Sequence, residues 1–108
     1  MSEGYIPVDL EDCFKEIERL FPDARNQIGH WKEDQMDTIH HGTGRWIRNN
    51  WGLWSGSRLH DWFFKRGIWH ADDMSGIILT SYWRRVHDEP VDLEGQIRHY
   101  KKYWKEKK

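Results

Sequence analysis

The sequence predicts an all-α fold: one compact domain of about five helices with short loops, spanning residues 1–108. Three observations carry this. Apolar residues recur at three- and four-residue intervals in several stretches. No alternating run of four or more residues supports a strand. Eight tryptophans fall in 108 residues, in a chain that is only 37% hydrophobic and 32% charged. A few very large side chains can close a core that small ones otherwise would. Aromatic content of 15% argues against disorder. Residues 1–8 and 106–108 are expected to be flexible.

The first helix opens at Asp9, a capping residue, with Glu11 and Asp12 in its first turn. Leu10, Cys13, Phe14, Ile17, Leu20 and Phe21 give its apolar stripe, and Pro22 ends it. Residues 23–35 carry the weakest pattern, with at most a short helical turn before Gly29. A second helix is expected from near Glu33 to Asn50 or beyond. One face of it holds Met36, Ile39, His40, Thr43, Ile47, Asn50, Trp51 and Trp54, and the other side holds His41, Arg45 and Arg48. Gly42 and Gly44 mark either a break or a close helix crossing. Gly52 to Ser57 reads as a turn, with Ser55 or Ser57 capping a third helix through Leu59, Trp62 and Phe63. Gly67 stops that helix.

The fourth helix begins near Asp72 and Asp73, which suit its first turn. Met74, Ile77, Ile78, Ser81 and Tyr82 occupy one face, and Leu79, Trp83 and Val86 the opposite one. A helix apolar on both faces is packed on both sides, so it is the expected centre of the fold. Pro90 is expected to end this helix. Asp92 caps the last helix, whose stripe is Leu93, Ile97, Tyr100 and Trp104.

Charge excludes some function classes. The net charge is −1, which gives no overall attraction to nucleic acid or to an anionic membrane. The charge is unevenly spread, however. Residues 1–37 hold four basic and ten acidic side chains, and residues 38–108 hold thirteen basic and eight acidic. The basic run at the end of the last helix complements the helix dipole there. The single Cys13 lies on an apolar stripe and reads as a small buried hydrophobe, in a chain expected to be cytoplasmic. No apolar run approaches the length of about 20 residues needed to span a membrane.

Catalytic signatures are missing. No serine sits in a nucleophile-elbow context and no histidine pair has chelating spacing, so no catalytic residue, metal ligand or cofactor is assigned. Two clusters remain as candidate binding sites. The first combines indoles with guanidinium and amide groups: Arg45, Trp46, Arg48, Asn49, Asn50, Trp54 and Arg58. These are residue types that dominate protein-interface hot spots. Against this, about half of the tryptophans are expected to be core. The second is a polar pocket of His40, His41, His70 and Asp73 within the bundle. The plainer reading is that such inward polar groups bond to each other.

The block from His40 to Trp54, followed by Ser57-Arg58-Leu59 and by His70 through Ile78, resembles a family of small bacterial domains of unknown function. The opening Pro7 to Cys13 and the closing Gln96 to Trp104 extend the resemblance to most of the chain. It implies a stand-alone bacterial domain and no assigned activity. Small domains of this kind often serve as immunity or antitoxin-like partners, or in phage–host conflict. The expected function is therefore non-enzymatic binding of another protein. The alternative is a binder of a small molecule or nucleotide, or an enzyme acting on one, using the polar pocket. Nucleic acid is the third and weakest option.

Overall fold

The computed structural model describes residues 4–107. At its centre lies α6 (Ala71–Val86), against which every other helix packs. Its buried residues go round the helix: Ala71, Met74, Ser75, Ile77, Ile78, Leu79, Ser81, Tyr82 and Trp83. The two-faced apolar pattern therefore has the expected consequence. Each fully buried Ile, Leu or Met stabilises the fold by about 1.5–3 kcal/mol, so this helix supplies much of the hydrophobic drive.

The remaining helices are α1 (Leu10–Leu20), α2 (Ala24–Gly29), α3 (Met36–His40), α4 (Thr43–Asn50), α5 (Arg58–Phe64) and α7 (Leu93–Glu106). A 3₁₀ turn at Glu33–Gln35 precedes α3. The chain is thus all-helical, with no strand among the described residues, and it forms one globule of about 40 × 31 × 22 Å. The described residues form seven α-helices rather than about five. One addition is α2, from the segment with the weakest pattern. The other comes from the expected helix over 33–50, which is interrupted at His41 and Gly42.

The two glycines of that region do different things. A Cβ on Gly42 would meet nothing within 4 Å, and the chain breaks there. A Cβ on Gly44 would lie 2.7 Å from His40 Cδ2 and 3.1 Å from Arg48 Nη1, so Gly44 is the site of close approach. The break also re-phases α4 relative to α3. Arg48, expected on the polar side, is buried, and Asn50, expected on the apolar side, is exposed.

Caps set the boundaries. Asp9 accepts from the Asp12 N–H at 2.9 Å, and Ser57 accepts from the His60 N–H at 3.0 Å. Beyond α5 the chain reverses at Gly67, whose φ of +88° is strained for any residue with a Cβ. The turn is closed by Ile68 N–H donating to Phe63 O at 3.1 Å. α6 stops at Val86, four residues before Pro90. Asp88 and Asp92 then adopt φ of 56° and 50°, and the Asp92 side chain caps α7 through the Gly95 N–H.

α7 packs on α6 alone among the helices. Gln96 fastens the pair, donating to Ser81 Oγ at 3.0 Å and to Val91 O at 2.9 Å. Every described residue beyond Tyr100 is exposed. Part of the expected flexibility, at residues 1–3 and 108, lies outside the described residues. At the near end of the chain Pro7 is fully buried, and Arg58 donates to Ile6 O.

Candidate functional site

The polar residues of α3, α4 and α6 converge on one hydroxyl. Ser75 Oγ, fully buried, donates to Asp72 O at 3.0 Å, a bond within its own helix. Its lone pairs face Arg48 Nη1 at 2.8 Å and His40 Nε2 at 3.0 Å. A hydroxyl has one proton to give and two pairs to receive, so with its proton committed, His40 Nε2 is the donor. Arg48 Nε also lies 3.2 Å from Asp72 Oδ1, an ion pair in distance but without hydrogen-bond alignment. This is a closed network. It offers no activated nucleophile, because the Ser75 proton points to a carbonyl and the oxygen has no solvent access. His40 and Arg48 are therefore engaged in this network, whereas His41 is exposed.

The Trp/Arg cluster does not form one site. Arg48 belongs to the buried Ser75 network. Arg58 is occupied elsewhere: its Nε donates to Ile6 O at 2.7 Å and its guanidinium lies 5.1 Å over the Tyr5 ring. Five members remain together and exposed: Arg45, Trp46, Asn49, Asn50 and Trp54. Arg45 and Trp46 precede Asn49 and Asn50 by one helical turn, so the four share a face of α4. The two indoles there, Trp46 and Trp54, are held by different contacts. Trp54 Nε1 donates to Asn49 Oδ1 at 2.9 Å, which ties that ring to the helix, whereas Asn50 Nδ2 donates to the backbone carbonyl of Trp46 at 2.9 Å and so orders its own side chain. Trp46 also meets Trp51 and Phe21 edge to face, at ring separations of 6.2 and 6.0 Å. Phe21, the residue that follows α1, thus extends the patch, a contact with α4 that no local pattern announces.

His70 and Asp73 come together at a third place, against α7. The His70 ring stacks on Trp104 at 3.9 Å, and Trp104 Nε1 donates to Asp73 Oδ2 at 2.7 Å. Partial burial raises the Asp73 carboxyl above its ordinary pKa, opposed by the Trp104 N–H and the nearby imidazoles of His70 and His40. Burial likewise raises the Tyr100 phenol, helped by the Asp73 and Asp37 charges. Beside this contact lies a half-open cleft of about 350 Å³ between residues 67–70 and α7. His40 and His41 do not line it. Trp69, Tyr100, Lys101, Trp104 and Lys105 do, and none of these five is among the candidates drawn from sequence. One signal was available: Tyr100 with Trp104, and Lys101 with Lys105, are i,i+4 pairs forming adjoining rows on α7.

A family model described as Domain of unknown function (DUF6794) matches residues 6–86. The chain belongs to this family. Neither the curated proteins nor the solved structures yield a match. The DUF6794 match takes in the Ser75 network and the α4 face, and it ends with α6. The cleft therefore joins residues inside the matched span to α7, which lies beyond it. No helix among the described residues is long and apolar enough to cross a membrane.

Proposed function

We propose that this chain is a non-enzymatic binding module that docks on another protein through the exposed face of α4 and the turn after it. The observation that carries this reading is the held orientation of two exposed indoles, Trp54 by its N–H bond to Asn49 and Trp46 by edge-to-face contacts with Phe21 and Trp51. Ordering a free side chain on binding costs about 0.5–1.5 kcal/mol, and here that cost is already met in the free protein. Trp and Arg at the centre of a patch are the residue types that carry interface energy. The candidate pocket residues are dispersed, His40 in the Ser75 network, His41 on the surface, and His70 and Asp73 against Trp104. An immunity or antitoxin-like role in a bacterial cytoplasm is the specific form of this proposal. It rests on the kind of small domain the chain resembles.

The test is capture of a partner from host lysate, read by native mass spectrometry. Wild type should retain an added mass of protein size. Arg45→Ala with Trp54→Ala should lose it, while the remote Trp69→Ala should keep it. Equal capture by all three, or no added protein with wild type, would remove this face from consideration.

A further inference from the structure

The cleft against α7 has features the protein-docking reading does not use. Its lining includes two indoles, Trp69 from the loop and Trp104 from the helix, with Ile68 and Tyr100 contributed by the same two elements. Trp69 is 63% exposed, so most of its ring surface is free. Trp104 is held in one orientation by His70 and Asp73. Lys101 and Lys105 add two ammonium groups one helical turn apart. The Lys101 arm lies across Gly67, where a Cβ would meet its Cδ, Cε and Nζ at 3.2 Å. Neither lysine has a salt-bridge partner among the described residues, whereas Arg19, Arg25, Arg48, Arg84 and Arg85 all do.

We infer that this cleft binds a small aromatic anion, a flat ring lodged against Trp69 and Trp104 with its acidic group at Lys101 and Lys105. Three properties select that class. Indole faces favour flat rings. The two ammonium groups outnumber the one carboxylate, Asp73, whose oxygen is already engaged by the Trp104 N–H. The volume of about 350 Å³ falls within the range of small-ligand sites, which begins near 300 Å³. This site is separate from the α4 face and stands or falls without it.

The experiment is an NMR titration of the whole chain, following the indole N–H signals of all eight tryptophans. The probes are indole-3-acetate, tryptamine and plain acetate. Indole-3-acetate should shift the Trp69 and Trp104 signals saturably, and added salt should weaken the effect. Tryptamine, the same ring with a cation, should not, and neither should acetate. Lys101→Gln with Lys105→Gln keeps the aliphatic stems and should weaken binding about five-fold. Trp69→Ala, at an exposed position outside the core, should abolish it. Binding of tryptamine as tight as that of indole-3-acetate would overturn the inference. So would saturable shifts confined to Trp46 and Trp54, or no saturable shift at all.

Discussion

At the scale of single residues, Gly42 and Gly44 lie two positions apart and have opposite structural meaning. Replacing Gly by Ala in a helical conformation reduces unfolded-state entropy and contributes up to about 1 kcal/mol. At Gly42 a methyl group meets open space, so Gly42→Ala should leave stability unchanged or raised. At Gly44 the same methyl pushes on the His40 ring, which holds Ser75. Gly44→Ala should therefore lower stability by about 1–3 kcal/mol, the cost of leaving a buried polar group unpaired. Urea unfolding of the two variants decides it, and a Gly44→Ala protein more stable than Gly42→Ala would refute the close-approach reading. Cys13 gives a second residue-level expectation. Burial raises its thiol well above the ordinary 9.0, with the nearby carboxylates of Asp12, Asp9 and Glu16 adding to it. The thiol is then neutral in the folded chain at pH values where the unfolded one ionises. Its contribution to stability is full below pH 9.0 and is lost as pH rises above that. A thiol-reactive dye should label Cys13 slowly in the native protein and rapidly in urea; equal rates would show the thiol to be accessible.

At the scale of elements, α6 and α7 contrast. α6 was legible in the sequence because apolar residues on two faces admit only a central position. α1 was legible from one stripe and one cap. The helix over 33–50 was not, because a wheel drawn through Gly42 assumes continuity, and one interruption moved Arg48 inward and Asn50 outward. α2 was legible only as a short helical turn because Ala24 and Ile28 are its only buried residues, too few to set a period. α7 has a clear start signal in Asp92 but only α6 to lean on. Hydrogen exchange should therefore be fastest in its outer half, residues 101–107, and slowest in the middle of α6. Asp92→Ala should speed exchange in α7 specifically. It removes the bond to the Gly95 N–H and puts Ala at a φ of 50°, which together cost about 2 kcal/mol. Uniform acceleration across all helices would mean that α7 is not a separate unit of stability.

At the scale of the whole molecule, the question is why a chain with few hydrophobic residues leaves large indoles outside. Trp51 and Trp83 are buried and Trp31 and Trp62 pack against the core, whereas Trp46, Trp54, Trp69 and Trp104 are 36–63% exposed. The expected division into halves was legible from composition. Which tryptophan fell on which side was not, because that depends on the break at Gly42 and on how residues 67–70 return against α7. The same long-range return explains why His70 and Asp73 were named while Trp104, their partner, was not. The charge pattern acts at this scale too. Arg45 neighbours Trp46 along α4, and Lys101 and Lys105 line the cleft with Trp69 and Trp104, so the exposed indoles sit in the basic part of a chain of net charge −1. Fluorescence quenching separates local field from net charge. Iodide should reach the exposed indoles and quench about half of the emission, and caesium should quench less at equal concentration, because the local cations attract one ion and repel the other. The gap between the two should narrow as salt is raised and the Debye length falls from about 10 Å at 0.1 M to about 3 Å at 1 M. Trp69→Phe should reduce the part that iodide reaches. If caesium quenches as well as iodide at low salt, the exposed indoles do not share a basic surface, and the anionic ligand inferred for the cleft loses its electrostatic argument.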